Sequence, residues 1–136
     1  MIFSQLNISK MSVHSELSLQ KFIHDQDIKL MALQETGCWK PTDGFFGDNV
    51  VMKKDTTSRN NPNLRGVALI VHKDLLPETV DIGGTDVDAI WCQIKLGRKR
   101  ILVGSVYIYL PQPGVRHLKT SCYTLKKLNT TKKPIN

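Results

Sequence analysis

Acidic side chains stop at Asp88. None of the residues 89–136 is Asp or Glu, whereas ten of them are Lys or Arg. Residues 1–88 carry nine Lys or Arg against twelve Asp or Glu, so the formal charge of +7 comes wholly from the end of the chain. An imbalance this sharp points to a polyanionic partner, nucleic acid first, or to an acidic complement lying outside this stretch. No apolar run approaches the roughly 18 residues that a membrane-spanning helix needs, so no membrane partner is expected. The first ten residues lack a charged leader followed by an apolar stretch, so secretion is not expected and an intracellular location is. Cysteine is scarce: Cys38, Cys92 and Cys122 are an odd, widely spaced set with neither a disulfide framework nor metal-ligand spacing. Asn7-Ile8-Ser9 and Asn129-Thr130-Thr131 match the glycosylation pattern, which an intracellular chain does not use. Aromatic residues are only 7% and do not interleave with the basic ones, so no RNA-recognition module is indicated.

What is present fits one globular domain. The 136 residues are 40% hydrophobic and 23% charged, enough to build a single core. Ile2 to Ile8 reads as a first strand, with Ile2, Leu6 and Ile8 on one parity. Ser12 is a plausible N-cap for a helix over Val13 to His24, with Leu17, Phe22 and Ile23 as its apolar residues. Ile28 to Leu33 is nearly all apolar, as in a strand buried on both faces. Polar loops then surround a short strand candidate at Asn49–Lys53 and a second buried-type strand at Gly66–His72, and Leu75–Asp81 is ambiguous. Asp88–Leu96 alternates cleanly, Gly97 to Arg100 turns the chain, and Ile101–Tyr109 is β-branched: a hairpin. His117–Leu128 reads as a second helix, with Leu118, Cys122 and Leu125 inward, before a Lys-bearing tail. One helix, about six strands and a further helix make an α+β or mixed α/β sheet protein.

Two polar residues end strands that otherwise look buried. Asn7 lies near the end of the first and Glu35 follows Leu33-Gln34 at the end of the second. A crossover helix joins those strands, so they are expected to lie parallel, with both residues at the sheet edge where ligands of α/β sheets gather. An amide oxygen and a carboxylate are hard ligands of the kind Mg²⁺ takes, one or two at a time, beside water and phosphate. The alternative is that Asn7 starts a turn and Glu35 is merely solvated.

These residues resemble the opening of the endonuclease/exonuclease/phosphatase superfamily, which includes apurinic/apyrimidinic endonucleases and the endonuclease domains of non-LTR retrotransposons. The resemblance runs through Leu33-Gln34-Glu35-Thr36, Arg65-Gly66-Val67-Ala68, and the Ile90–Ile94 and Ile101–Pro111 hairpin strands, in order and in register. It implies half of a four-layer α/β sandwich: a mixed sheet with flanking helices, spanning residues 1–136 as one C-terminally truncated domain. It also implies a Mg²⁺- or Mn²⁺-dependent DNA endonuclease, with DNA as partner and a nuclear location allowed. Asn7 would orient phosphate or a metal-bound water, Glu35 would be the metal carboxylate, with Asn7 beside it, and a Tyr would hydrogen-bond the scissile phosphate. Alignment through Gly104-Ser105-Val106 favours Tyr107 for that role; the Tyr-x-Pro spacing favours Tyr109.

The departures from the family are specific. Its Gly-Asp-x-Asn and Ser-Asp-His segments, which carry the general base and the rest of the metal shell, have no counterpart here. Little or no cutting is therefore expected of this chain alone. A non-catalytic nucleic-acid- or protein-binding remnant, or a phosphatase of the same superfamily, are the alternatives. Each half of the family fold is expected to give about one sheet, so an uncovered apolar face and self-association through it are expected. Arg98, Lys99 and Arg100 in the hairpin turn are candidate nucleic-acid contacts, with a solvated turn as the plainer reading.

Overall fold

The computed structural model describes residues 2–55, 65–82, 88–112 and 115–128, with side chains described as far as Tyr107. Its elements are β1 (Ile2–Asn7), α1 (Val13–Asp25), β2 (Ile28–Gln34), β3 (Asn49–Lys54), β4 (Val67–His72), a 3₁₀ turn (Lys73–Leu75), β5 (Glu78–Val80), β6 (Asp88–Leu96), β7 (Lys99–Gln112) and β8 (Val115–Leu128). They form two four-stranded sheets, ordered β1-β2-β4-β3 and β5-β6-β7-β8. The first sheet is mixed, because β1 runs parallel to β2 while β4 is antiparallel to both β2 and β3. The second is antiparallel throughout. The class is α+β. Among the described residues no helix is long and apolar enough to cross a membrane.

Alternation along each strand decides which sheet face is dry. Leu30 and Ala32 of β2, Val67, Leu69 and Val71 of β4, Ile90, Cys92 and Ile94 of β6, and Val103 and Tyr107 of β7 meet between the sheets. The opposite parity of the first sheet, Met31, Leu33, Ala68 and Ile70, packs under Leu19 and Ile23 of α1 and under Trp39 and Phe46 of the loop before β3. Both faces of β2 and β4 are thus covered, as their unbroken apolar runs require. Ser12 does cap α1, accepting from the Ser15 N–H.

The structure corrects several expectations. Residues 117–128 are not a helix: they belong to β8, which pairs with β7 from Gln112↔Val115 to Arg100↔Leu128. β7 has a free edge whose N–H and C=O groups need partners, and a segment with Val115, Thr120, Tyr123 and Thr124 suits a pleated ladder better than a helix. The described residues build two sheets where one was expected, and the inner face of the first packs against the second. In β1 it is Phe3 that reaches the core between the sheets, while Ile2 and Leu6 are exposed, since α1 lies over β2 and leaves this edge strand uncovered. In α1 the buried residues are Glu16, Leu19 and Ile23; Leu17 and Phe22 face outward.

Candidate functional site

Asn7 and Glu35 do come together. β1 and β2 are parallel, and their last registered pair is Asn7↔Gln34. Past that pair Glu35 takes a left-handed backbone, φ 59°. This breaks the alternation that would have carried its side chain to the α1 side with Leu33, and brings it to Asn7, whose Nδ2 donates to Glu35 Oε2. Asn7 Oδ1 in turn accepts from the Ser9 N–H at 3.2 Å. Both contacts fix the amide the same way round: a carboxylate oxygen accepts and a backbone N–H donates. Asn7 therefore meets Glu35 through its Nδ2, with its oxygen turned away from the carboxylate. Glu35 is 6% exposed.

The surrounding backbone is held tightly. Ile8 N–H donates to Gln34 O, Lys10 N–H to Glu35 O at 2.6 Å, and Met11 N–H to Thr36 O. Ser9 and Lys10, like Glu35, have positive φ without being glycine. Three such residues meeting at one spot cost free energy, of order 1–3 kcal/mol each, and such strain concentrates where chemistry or binding needs a set geometry. From the other side, Thr36 N–H donates to Gly66 O and Gly37 N–H to Arg65 O, prolonging the β2–β4 pairing past its last pair. Gly66 is obligatory there: at φ 109° a Cβ would lie 2.6 Å from Thr36 Oγ1 and 2.7 Å from Gly37 O.

Sequence reasoning missed two neighbours at this end of the sandwich. Arg65 binds Asp88 with two parallel bonds, Nε to Oδ2 at 3.0 Å and Nη2 to Oδ1 at 2.7 Å. Asp88 is 2% exposed and opposes Tyr107 in the β6–β7 register. Gln34 Nε2 donates to Ser105 Oγ at 2.8 Å, and Ser105 Oγ donates to Leu33 O at 2.7 Å. The signal was parity: Asp88 shares its face with Ile90, Cys92 and Ile94, and Ser105 with Val103 and Tyr107. A polar group on such a face must find a partner in the core.

Tyr107 is 1% exposed, within the core between the sheets. Tyr109 follows on the same parity, its backbone paired with Leu118; its side chain lies outside the described ones. Arg98, Lys99 and Arg100 are exposed, but the β6–β7 register puts them at the far end of the sandwich. The eight-residue step from Asp88 to Leu96 separates that turn from the Asp88–Tyr107 end, a span of roughly 25 Å. They do not reach a group held at Glu35. Arg100 Nη1 donates to Gln93 Oε1 at 3.1 Å.

The histidines with described side chains do not join the site. His14 and His24 are exposed on α1. His72 ends β4 at the opposite end from Arg65, where its Nδ1 accepts from the Asp74 N–H. The side chain of His117 lies outside the described ones. Among the described residues no three His, Cys, Asp or Glu side chains are grouped for a metal ion. A cleft of about 350 Å³ lies at the other end of the first sheet, with Ile23, Ile28, Phe46 and His72 among its walls. Beside it the ammonium of Lys73, 3.0 Å away, holds the Asp48 carboxyl below its ordinary range.

What this arrangement can do is limited. Glu35 offers one carboxylate, oriented by Asn7, to a hard cation. One or two carboxylates suffice for Mg²⁺ or Mn²⁺ when water and a phosphate complete the shell. Compared with known proteins, the chain matches no family model and no curated protein.

Proposed function

We propose that this chain is the part of a Mg²⁺- or Mn²⁺-dependent DNA endonuclease, of the endonuclease/exonuclease/phosphatase and non-LTR retrotransposon type, that holds the cation and the phosphate. The observation that carries the reading is the meeting of Asn7 and Glu35 at the carboxyl ends of parallel strands, in a strained and tightly bonded loop. Glu35 would hold the cation and Asn7 would keep its carboxylate aimed. Once bound, the cation supplies charge neutralisation at a phosphoryl oxygen. The burial of Tyr107 favours Tyr109 as the residue that hydrogen-bonds the phosphate.

No described group at this end is placed to take a proton from water. Asp88 is engaged by Arg65, and His14, His24 and His72 lie elsewhere. The chain alone is therefore expected to bind DNA and a divalent cation together but to cut little or nothing. Two assays test this: calorimetric Mn²⁺ titration in the presence of DNA, and nicking of supercoiled and abasic plasmid with Mg²⁺. Mn²⁺ binding lost in Glu35→Gln is expected. Robust nicking abolished by Glu35→Ala would overturn the inactivity, and Mn²⁺ binding indifferent to Glu35 would overturn the metal role.

A second reading, a nucleic-acid binder without any catalytic part, draws on the exposed Lys95, Arg98, Lys99 and Arg100 at the far end of the second sheet. It predicts salt-dependent DNA affinity that neither Mn²⁺ nor Glu35→Gln alters.

A further inference from the structure

We propose that Arg65 is a phosphate-binding residue of this site and that Asp88 is the group that sets its guanidinium plane. The proposal rests on the reading above for the identity of the anion. Its geometric basis is separate.

A guanidinium carries five N–H donors in a rigid fork. Two of them, one on Nε and one on Nη2, are spent on Asp88 at 3.0 and 2.7 Å. Both Asp88 oxygens are engaged, and Oδ2 also lies 3.5 Å from the Gly66 N–H. The carboxylate is inside, with 3% of its side chain exposed, whereas 23% of the Arg65 side chain is exposed. The pair is thus polarised, negative end in the core and positive end outward. A bidentate carboxylate lies in the guanidinium plane and fixes it. With one edge used, the remaining donors of Nη1 and Nη2 lie along the other, where no hydrogen bond to a described residue takes them. That leaves two donors spaced for two oxygens of one phosphate, which is why arginine and not lysine serves planar recognition of this kind.

Position supports the role. The Arg65 carbonyl accepts from the Gly37 N–H, two residues past Glu35, and the Gly66 carbonyl from the Thr36 N–H, so the backbone that carries the fork is bonded directly to the backbone that carries the carboxylate. Asp88 opposes Tyr107, two residues before Tyr109. One hydrogen-bonded path therefore links the second sheet, Arg65, the Glu35 turn and Asn7. A phosphate bridging a cation at Glu35 and the open edge of Arg65 would meet positive charge from both sides. Buried charge pairs add little net stability, because desolvation offsets their attraction. Holding one plane of a cation at a phosphate site gives this pair a use that stability does not.

The test uses the full chain and a short fluorescein-labelled DNA duplex, followed by anisotropy over a series of KCl concentrations, in EDTA and in Mn²⁺. Arg65→Gln is expected to weaken binding about tenfold and to reduce the salt slope by about one phosphate, with or without Mn²⁺. Arg65→Gln that melts like the parent and keeps its affinity and slope overturns the proposal. If Arg65→Gln does not fold, the unsubstituted chain decides by NMR: the Arg65 Nε–H resonance is expected to shift as duplex is added, and an unmoved resonance overturns the proposal. The two readings separate cleanly. Loss of affinity in Arg65→Gln without any Mn²⁺ effect leaves Arg65 a phosphate ligand and removes the metal role of Glu35. An intact Mn²⁺ effect with a neutral Arg65→Gln does the reverse.

Discussion

Gln34 and Ser105 are 71 residues apart and hydrogen-bond in the middle of the molecule, Nε2 to Oγ at 2.8 Å, joining the end of β2 to β7 directly beneath the Asn7–Glu35 pair. Ser105 Oγ in turn donates to the Leu33 carbonyl at 2.7 Å. Both side chains are fully buried. This bridge ties the first sheet to the second at the level where the candidate site begins.

Ser105→Ala should therefore be costly. It leaves Gln34 Nε2 buried without that partner, on a side chain whose Oε1 has none among the described residues. A loss of about 2–3 kcal/mol is expected in urea unfolding. Adding Gln34→Leu removes the stranded amide, and the double variant should recover most of the loss. A double variant no better than Ser105→Ala would show that the cost lies in packing and not in the hydrogen bond.

Glu16 carries a similar debt on the other side of the first sheet. It is 4% exposed on α1 and accepts from the Thr42 N–H at 2.7 Å and from Thr42 Oγ1 at 3.1 Å. This anchors the loop whose Trp39 and Phe46 rings meet edge to face, 5.8 Å apart, over the helix-side core. Glu16→Ala should lower stability by about 1.5–3 kcal/mol and admit water to Trp39, seen as a red shift of its emission in a Trp91→Phe background. An unshifted spectrum would mean that the loop holds without Glu16.

Cysteine reactivity gives a pH prediction. Burial pushes the Cys92 thiol up to about 11 from an ordinary 9.0, while Cys38 is exposed. At pH 8 the Cys92 thiolate should be about 100-fold scarcer than that of an ordinary thiol, so Cys38 reacts at once with a disulfide reagent and Cys92 only on unfolding. The folded chain keeps this proton where the unfolded chain releases it. The associated stability is present in full below about pH 9 and is lost as pH rises towards about 11. A Cys92→Ala variant should show a flatter loss of stability over that window; an identical pH profile would refute the assignment.

Much of the fold was legible because its strands obey simple periods. β2 and β4 read as buried on both faces, and the β6–β7 hairpin from its alternation and its Gly97 turn. Strand, crossover and strand were enough to put Asn7 and Glu35 at one sheet edge, but not to turn the two side chains together. What escaped notice was non-local or against local preference. Leu118, Cys122 and Leu125 sit at helical spacing, yet the free edge of β7 recruits the segment as β8. The Arg65–Asp88 pair joins residues 23 apart in sequence, and no local pattern announces it. The left-handed turn at Glu35 is invisible for the same reason, since nothing in Leu33-Gln34-Glu35-Thr36 asks for a positive φ.

That turn supplies the sharpest separation of structure from function. A Glu held at φ 59° is strained by roughly 1–2 kcal/mol, whereas Asn enters this region more readily. If Glu35 were kept only for the fold, Glu35→Asn would destabilise the chain by removing the Asn7 hydrogen bond. If it is kept to hold a cation, strain has been accepted for the sake of the carboxylate, and relieving it should raise stability while ending metal binding. A melting temperature higher by roughly 3–5 °C is expected for Glu35→Asn, together with loss of the Mn²⁺ effect on DNA affinity. Glu35→Ala, which loses the carboxylate without relieving the backbone, should lose the Mn²⁺ effect and melt lower than the parent. A lower melting temperature in both variants, with the Mn²⁺ effect retained, would make Glu35 a structural residue and remove the ground for the metal site.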